Sequence, residues 1–123
     1  MPYKILVVDD SKAMRLLVLR SLRMAGMDIE TGFEAGNGTE GTKVLSTEKI
    51  DLVFSDWNMP EMNGLELLRW TRAEAPNRQV PFFLITTETG QGQMSEALEA
   101  GASGYLCKPF APEDLAHTLA PYL

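Results

Sequence analysis

The chain has 123 residues, 45% hydrophobic and 23% charged, which is the length of one domain with apolar material for one core. Its formal net charge of −6 argues against an electrostatic grip on nucleic acid by this chain alone. The single cysteine, Cys107, excludes an internal disulfide, and the apolar run that ends at Asp9 is too short for a signal peptide or a membrane span, so a cytoplasmic protein is expected.

Residues 5–8 form a consecutive β-branched, apolar run, which predicts a first strand buried on both faces. Ser11 can cap a following helix with its side-chain oxygen. Met14, Leu17, Val18, Leu22 and Ala25 then recur at spacings of three and four, one apolar stripe, and Gly26 ends the helix. Residues 31–35 predict a second strand, so weakly apolar that a sheet edge suits it. Asn37-Gly38 signals a turn before a short helix over 39–46. Residues 52–54 are the third strand. A loop runs from Met59-Pro60 to Asn63-Gly64, and a third helix covers 65–75. Residues 81–86 are the fourth strand. A loop with Gly90 and Gly92 precedes a fourth helix over 93–100, and the two glycines leave that loop poorly fixed. Residues 105–107 are the fifth strand and 112–122 the last helix, with Leu115 and Leu119 one turn apart.

Five strands alternating with five helices predict an α/β domain with a parallel sheet and helices on both faces. Crossovers in such sheets are right-handed, and ligands collect at the carboxyl ends of the strands. One domain over 1–123, without an output domain, is expected. Asp9 and Asp10 follow the first strand, Asp56 the third and Lys108 the fifth, while Thr86 and Thr87 end the fourth. The topology brings all of them to one edge. Three converging carboxylates repel one another, and a hard cation with oxygen ligands such as Mg²⁺ relieves this. Such an ion neutralises a transferring phosphoryl group, Lys108 adds positive charge, Thr86 donates a hydrogen bond, and a carboxylate between them is a nucleophile.

Each piece alone has a plainer reading. A carboxylate after a strand is commonly a turn or cap residue, Lys108-Pro109 a loop boundary, and a strand-end threonine mere β-propensity. Tyr105 alone reads as packing. Met14, Met24 and Met94 read as core or gap-filling residues, His117 as solvated and Cys107 as a small apolar core residue. Trp57 is expected partly exposed beside Asp56, and Trp70 as packing or a contact point. The coincidence of four strand ends, each with a residue that one mechanism needs, outweighs these readings.

The runs Val7-Val8-Asp9-Asp10-Ser11, Asp56-Trp57-Asn58-Met59-Pro60-Glu61-Met62-Asn63-Gly64, Thr86, Gly101-Ala102-Ser103-Gly104-Tyr105 and Lys108-Pro109-Phe110 resemble two-component receiver domains, those of the stand-alone chemotaxis type most of all. The resemblance covers residues 4 to about 122. It implies a doubly wound, flavodoxin-like sheet of order 2-1-3-4-5. It implies that Asp56 accepts a phosphoryl group from a histidine kinase. One Mg²⁺ would be held by Asp10, Asp56 and the backbone carbonyl of Asn58, with Asp9 acting through a water. Lys108 would pair with a phosphoryl oxygen, Thr86 would swing toward it, and Tyr105 would turn inward. Asn58 and Glu88 would tune dephosphorylation, and Thr87, larger than is usual there, would crowd the phosphoryl site or slow entry of the donor. The face made by the fourth helix, fifth strand and fifth helix would then control a protein partner, such as a flagellar motor switch or a phosphatase, from a monomer that touches neither nucleic acid nor membrane. It would be no enzyme beyond its own phosphorylation and dephosphorylation. The alternatives are a phosphorelay intermediate, an aspartyl-phosphate phosphatase or phosphotransferase, a flavodoxin-like cofactor module, which Asp9-Asp10 in the phosphate-loop place disfavours, and a docking-only receiver.

Overall fold

The computed structural model describes residues 2–87, 91–108 and 111–123, so the expectations for Glu88, Gly90, Pro109 and Phe110 lie outside the described residues. In chain order the elements are β1 (Tyr3–Val8), α1 (Lys12–Met24), β2 (Ile29–Ala35), α2 (Gly38–Thr47), β3 (Leu52–Asp56), α3 (Gly64–Glu74), β4 (Phe82–Thr86), α4 (Gln91–Glu99), β5 (Gly104–Cys107) and α5 (Pro112–Thr118). A 3₁₀ turn over Ala120–Tyr122 follows.

The strands form one parallel sheet in the order β2-β1-β3-β4-β5, the doubly wound, flavodoxin-like arrangement. Side chains alternate across a strand, so one run supplies both faces. Leu6, Val8, Val53, Phe82 and Leu84 pack under Leu45, Leu67, Leu68 and Ala97 of α2, α3 and α4. Ile5, Val7, Leu52, Phe54, Phe83 and Ile85 face the other way, onto Val18, Leu22, Leu115 and Leu119 of α1 and the C-terminal segment. Phe54 and Phe83 stack at 5.1 Å in that second layer. The predicted edge position of the second strand is observed.

Several local expectations are corrected. The second strand starts at Ile29, because it pairs with Tyr3 of β1. Asn37 caps α2 by accepting from the Glu40 N–H, so the expected turn is the first turn of the helix. Helix α4 begins at Gln91, which puts Gly92 in a helix instead of a loop; a helical glycine costs only about 1 kcal/mol relative to alanine. Helix α5 stops at Thr118, since Pro121 has no N–H to continue the ladder. Leu17 is half exposed because it lies about 100° round α1 from Val18, off the buried arc. Met24 and Met94 are exposed, not gap fillers. Cys107 is only half-buried, as β5 is the other edge strand. Met14 and Trp70 are half-buried, Trp70 against the α2–α4 core, and His117 is exposed as expected.

Candidate functional site

The parallel sheet delivers the site from its carboxyl edge. Asp9 leaves β1, Asp56 ends β3, Thr86 ends β4 and Lys108 leaves β5. Backbone hydrogen bonds hold these ends in register: the Lys108 N–H donates to the Thr86 carbonyl at 2.7 Å, the Trp57 N–H to the Ile85 carbonyl at 2.9 Å and the Asp9 N–H to the Ala35 carbonyl at 3.0 Å. One carboxylate oxygen from each of Asp9, Asp10 and Asp56 lies within 4.8 Å of the others. Asp9 is buried, Asp56 half-buried and Asp10 exposed, so the cluster is a shallow pit with one solvent-facing wall.

The Lys108 ammonium sits 3.4 Å from Asp9 Oδ2 and 3.4 Å from Asp56 Oδ1. Asp9 Oδ1 accepts from the Ser11 N–H at 2.9 Å, which fixes its carboxylate plane. Burial raises the Asp56 pKa above the ordinary value; Lys108 pulls it back down and the Asp9 charge pushes it up further. An oxygen-only donor set around one ammonium, short of positive charge and open on one side, fits a hard divalent cation that keeps part of its water shell.

Thr86 is fully buried at the end of β4, and Thr87 after it is exposed. Asn58 is exposed two residues beyond Asp56, in the loop leaving the same strand. Tyr105 is half-buried; its hydroxyl donates to Gln93 Oε1 of α4 at 3.3 Å, and its ring meets Trp57 edge-on at 6.3 Å. Trp57 was expected partly exposed but is only 6% exposed, because its side chain joins the core cluster under α2, α3 and α4 and meets Tyr105 edge-on; the Gly64 N–H donates to its carbonyl at 2.9 Å.

Three contributors escaped the sequence reading. Arg15 of α1 donates to the Asp9 carbonyl at 2.7 Å and to Glu34 Oε1 of β2 at 2.9 Å, bracing the strand end that carries the acids. Gln93 holds Tyr105. Glu61 takes a positive φ of 65°, the strained corner of the loop after Asp56. Arg15 and Gln93 act through partners 6 to 19 positions away, which no local pattern reveals. Asn63-Gly64 was the available signal for the loop.

Comparison with known proteins places this arrangement. The family model described as response regulator receiver domain matches residues 5–120. A Campylobacter jejuni protein named chemotaxis protein CheY homolog is 41% identical over 121 residues, 98% of this chain and 92% of that protein. The solved structure of chemotaxis response regulator CheY4 of Vibrio cholerae superposes with a TM-score of 0.84 at 36% identity, over 100% of both chains. The receiver domain of a sensor histidine kinase from Pseudomonas aeruginosa superposes with a TM-score of 0.82 at 25% identity, over 99% of this chain and 98% of that one. That structure has a magnesium ion coordinated in its active-site cleft. Among the described residues no helix is long and apolar enough to cross a membrane.

Proposed function

The chain belongs to the response regulator receiver family, CheY-like among its relatives, and from that premise we propose that it is a phosphoacceptor switch whose acceptor is Asp56. The observation that carries the reading is the meeting of three carboxylates with one ammonium 3.4 Å from two of them. Asp56 is the acceptor because it is the half-buried member, reached by Lys108 and still open to a donor.

In the proposed step a carboxylate oxygen of Asp56 attacks the phosphorus of a histidine kinase's phosphohistidine. The P–O bond forms as the P–N bond breaks, and the imidazole leaves as the neutral base after taking a proton from solvent. Asp10, Asp56 and the Asn58 carbonyl would hold Mg²⁺, with Asp9 acting through a water, and the ion when bound supplies charge neutralisation for the phosphoryl oxygens. Lys108 gives up part of its contact with Asp56 to pair with a phosphoryl oxygen. The Thr86 hydroxyl turns toward another, and Tyr105, released from Gln93, follows toward the space Thr86 leaves. The α4–β5–α5 face thereby changes shape for a downstream protein, a population shift that takes about 5.5 kcal/mol to run from mostly off to mostly on. Chemotaxis-type output is supported by the names of the relatives. On this reading the chain catalyses only its own phosphorylation and dephosphorylation.

Incubation with a small acyl phosphate, with and without Mg²⁺, followed by intact mass tests the reading. The expected result is a metal-dependent gain of one phosphoryl group, about 80 Da by the formula of the group added, that Asp56→Asn abolishes. A gain that persists in Asp56→Asn moves the acceptor elsewhere. Absence of any gain with Mg²⁺ present sinks the reading.

A further inference from the structure

The face proposed above as the output surface has a charge that selects the chemistry of its partner. Met94 is 41% and Leu98 55% exposed, one turn apart on α4. Glu96 lies about half a turn round the helix from them and pairs with Arg69 of α3 at 3.7 Å. The Met94–Leu98 flank is therefore turned away from α3, toward the edge strand β5 and its half-buried Tyr105. Arg69 is committed to Glu96 and Arg72 to the Gly101, Arg78 and Val80 carbonyls, so the charges left unpaired on α4, β5 and α5 are acidic. Residues 91–123 contain Glu96, Glu99, Glu113 and Asp114 but only one lysine or arginine, Lys108. Lys108 is committed to Asp9 and Asp56, and Asp114 accepts from the Ala111 N–H at 2.8 Å. Glu99 and Glu113 are exposed and make no ion pair among the described residues. Helix α1 is the opposite: Lys12, Arg15, Arg20 and Arg23 with no acidic residue.

We propose that the α4–β5–α5 face binds a basic amphipathic segment of a partner protein, apolar side chains seated on Met94 and Leu98 and lysine or arginine directed to Glu99 and Glu113. This deepens the reading of that face as the output surface and rests on it. An acidic segment meets like charge at Glu99 and Glu113, and like-charge juxtaposition across an interface is what rejects wrong partners. A second copy of this chain is the competing occupant, because the exposed strip of α1 (Leu16, Leu17 and Met24 beside Arg20) has the matching chemistry.

The test uses two labelled helix-forming peptides, one of leucine and lysine and a twin with each lysine replaced by glutamate. Anisotropy is followed with the full chain before and after treatment with acyl phosphate and Mg²⁺, intact mass reporting phosphoryl uptake separately. The lysine peptide should bind about tenfold or more tightly than its twin in at least one state and weaken severalfold at high salt. Leu98→Ser and the double change Glu99→Lys with Glu113→Lys should each cost about fivefold or more, and Leu17→Ser on α1 should leave binding unchanged. These sites are exposed, so circular dichroism should match the parent. Equal or tighter binding of the glutamate twin overturns the proposal. So do lysine-peptide binding indifferent to the α4 and α5 changes, no binding in either state, and salt-sensitive self-association in sedimentation that Leu17→Ser and Leu98→Ser both abolish. A missing mass gain sinks the phosphoacceptor reading alone, since peptide discrimination by the untreated chain still decides the face.

Discussion

Asp56 shows what one residue gives up for function. Its carboxylate is half-buried at a strand end beside the Asp9 charge, and burial is the largest influence on it, larger than the attraction of Lys108. Its pKa in the fold is raised above 3.8. Between that ordinary value and the raised one the folded chain binds more protons than the unfolded chain. Stability therefore falls as pH rises through the window, and the deficit persists at neutral pH. Asp56→Asn removes the deficit. In chelator, urea denaturation should find the variant more stable than the parent at pH 7, and the difference should vanish once the pH is below about 3.8. A variant that is less stable at pH 7 would mean that the Lys108 contact outweighs burial after all. Lys108→Met tests the same balance from the other side: two carboxylates lose their shared cation, so the variant should be destabilised at pH 7 and partly restored by acidification.

At the scale of the element, the segment that decides the site is the junction of β3 and α3. Asn63 and Glu66 close a capping box: the Glu66 N–H donates to Asn63 Oδ1 at 2.9 Å and the Asn63 N–H to Glu66 Oε1 at 3.0 Å. Gly64 between them packs against the backbone of Asp56, the proposed acceptor, because a Cβ there would run into the Asp56 carbonyl and come within 2.9 Å of Leu84 Cδ2. The two residues separate stability from geometry. Asn63→Ala should cost about 1 kcal/mol by chemical denaturation and leave the rate of phosphoryl uptake within about twofold. Gly64→Ala should cost more, about 1–3 kcal/mol as overpacking, and slow uptake as well, because relief of the clash must move Asp56 or the start of α3. Uptake unchanged in Gly64→Ala would show that this close approach does not position the acceptor. The glycine was visible in the sequence as the end of the loop that runs from Met59-Pro60 to Asn63-Gly64. Its actual constraint was not, since the carbonyl it must clear is eight positions away.

Over the whole molecule, what could be read in advance was whatever a short run states by itself. The unbroken apolar character of residues 5–8 announced a strand covered on both sides, the apolar run in 81–86 announced another strand, and the order of Asp9, Asp56, Thr86 and Lys108 followed from a parallel topology. What could not be read depends on a partner from another element: the Arg15 brace, the Tyr105–Gln93 bond, the burial of Trp57 and the exposure of Leu17. Helix α4 belongs to the second group. Among its described residues only Ala97 is buried, whereas α1 and α3 each bury several apolar side chains. Its attachment therefore leans on tethers at its ends. One is the bond from Tyr105 to Gln93. The other is Arg72 of α3, whose guanidinium donates to the Gly101 carbonyl at 2.8 and 3.0 Å and also holds the Arg78 and Val80 carbonyls. A helix so lightly buried should open below the global unfolding free energy. Native-state hydrogen exchange should place the α4 amides about tenfold or more less protected than those of β1, β3 and β4. Arg72→Met should lower α4 protection further while β1 and β3 change only by the shift in global stability. Uniform protection across α4 and the central strands would mean that α4 is part of the cooperative core, and the proposed switch would have to be driven against the whole fold.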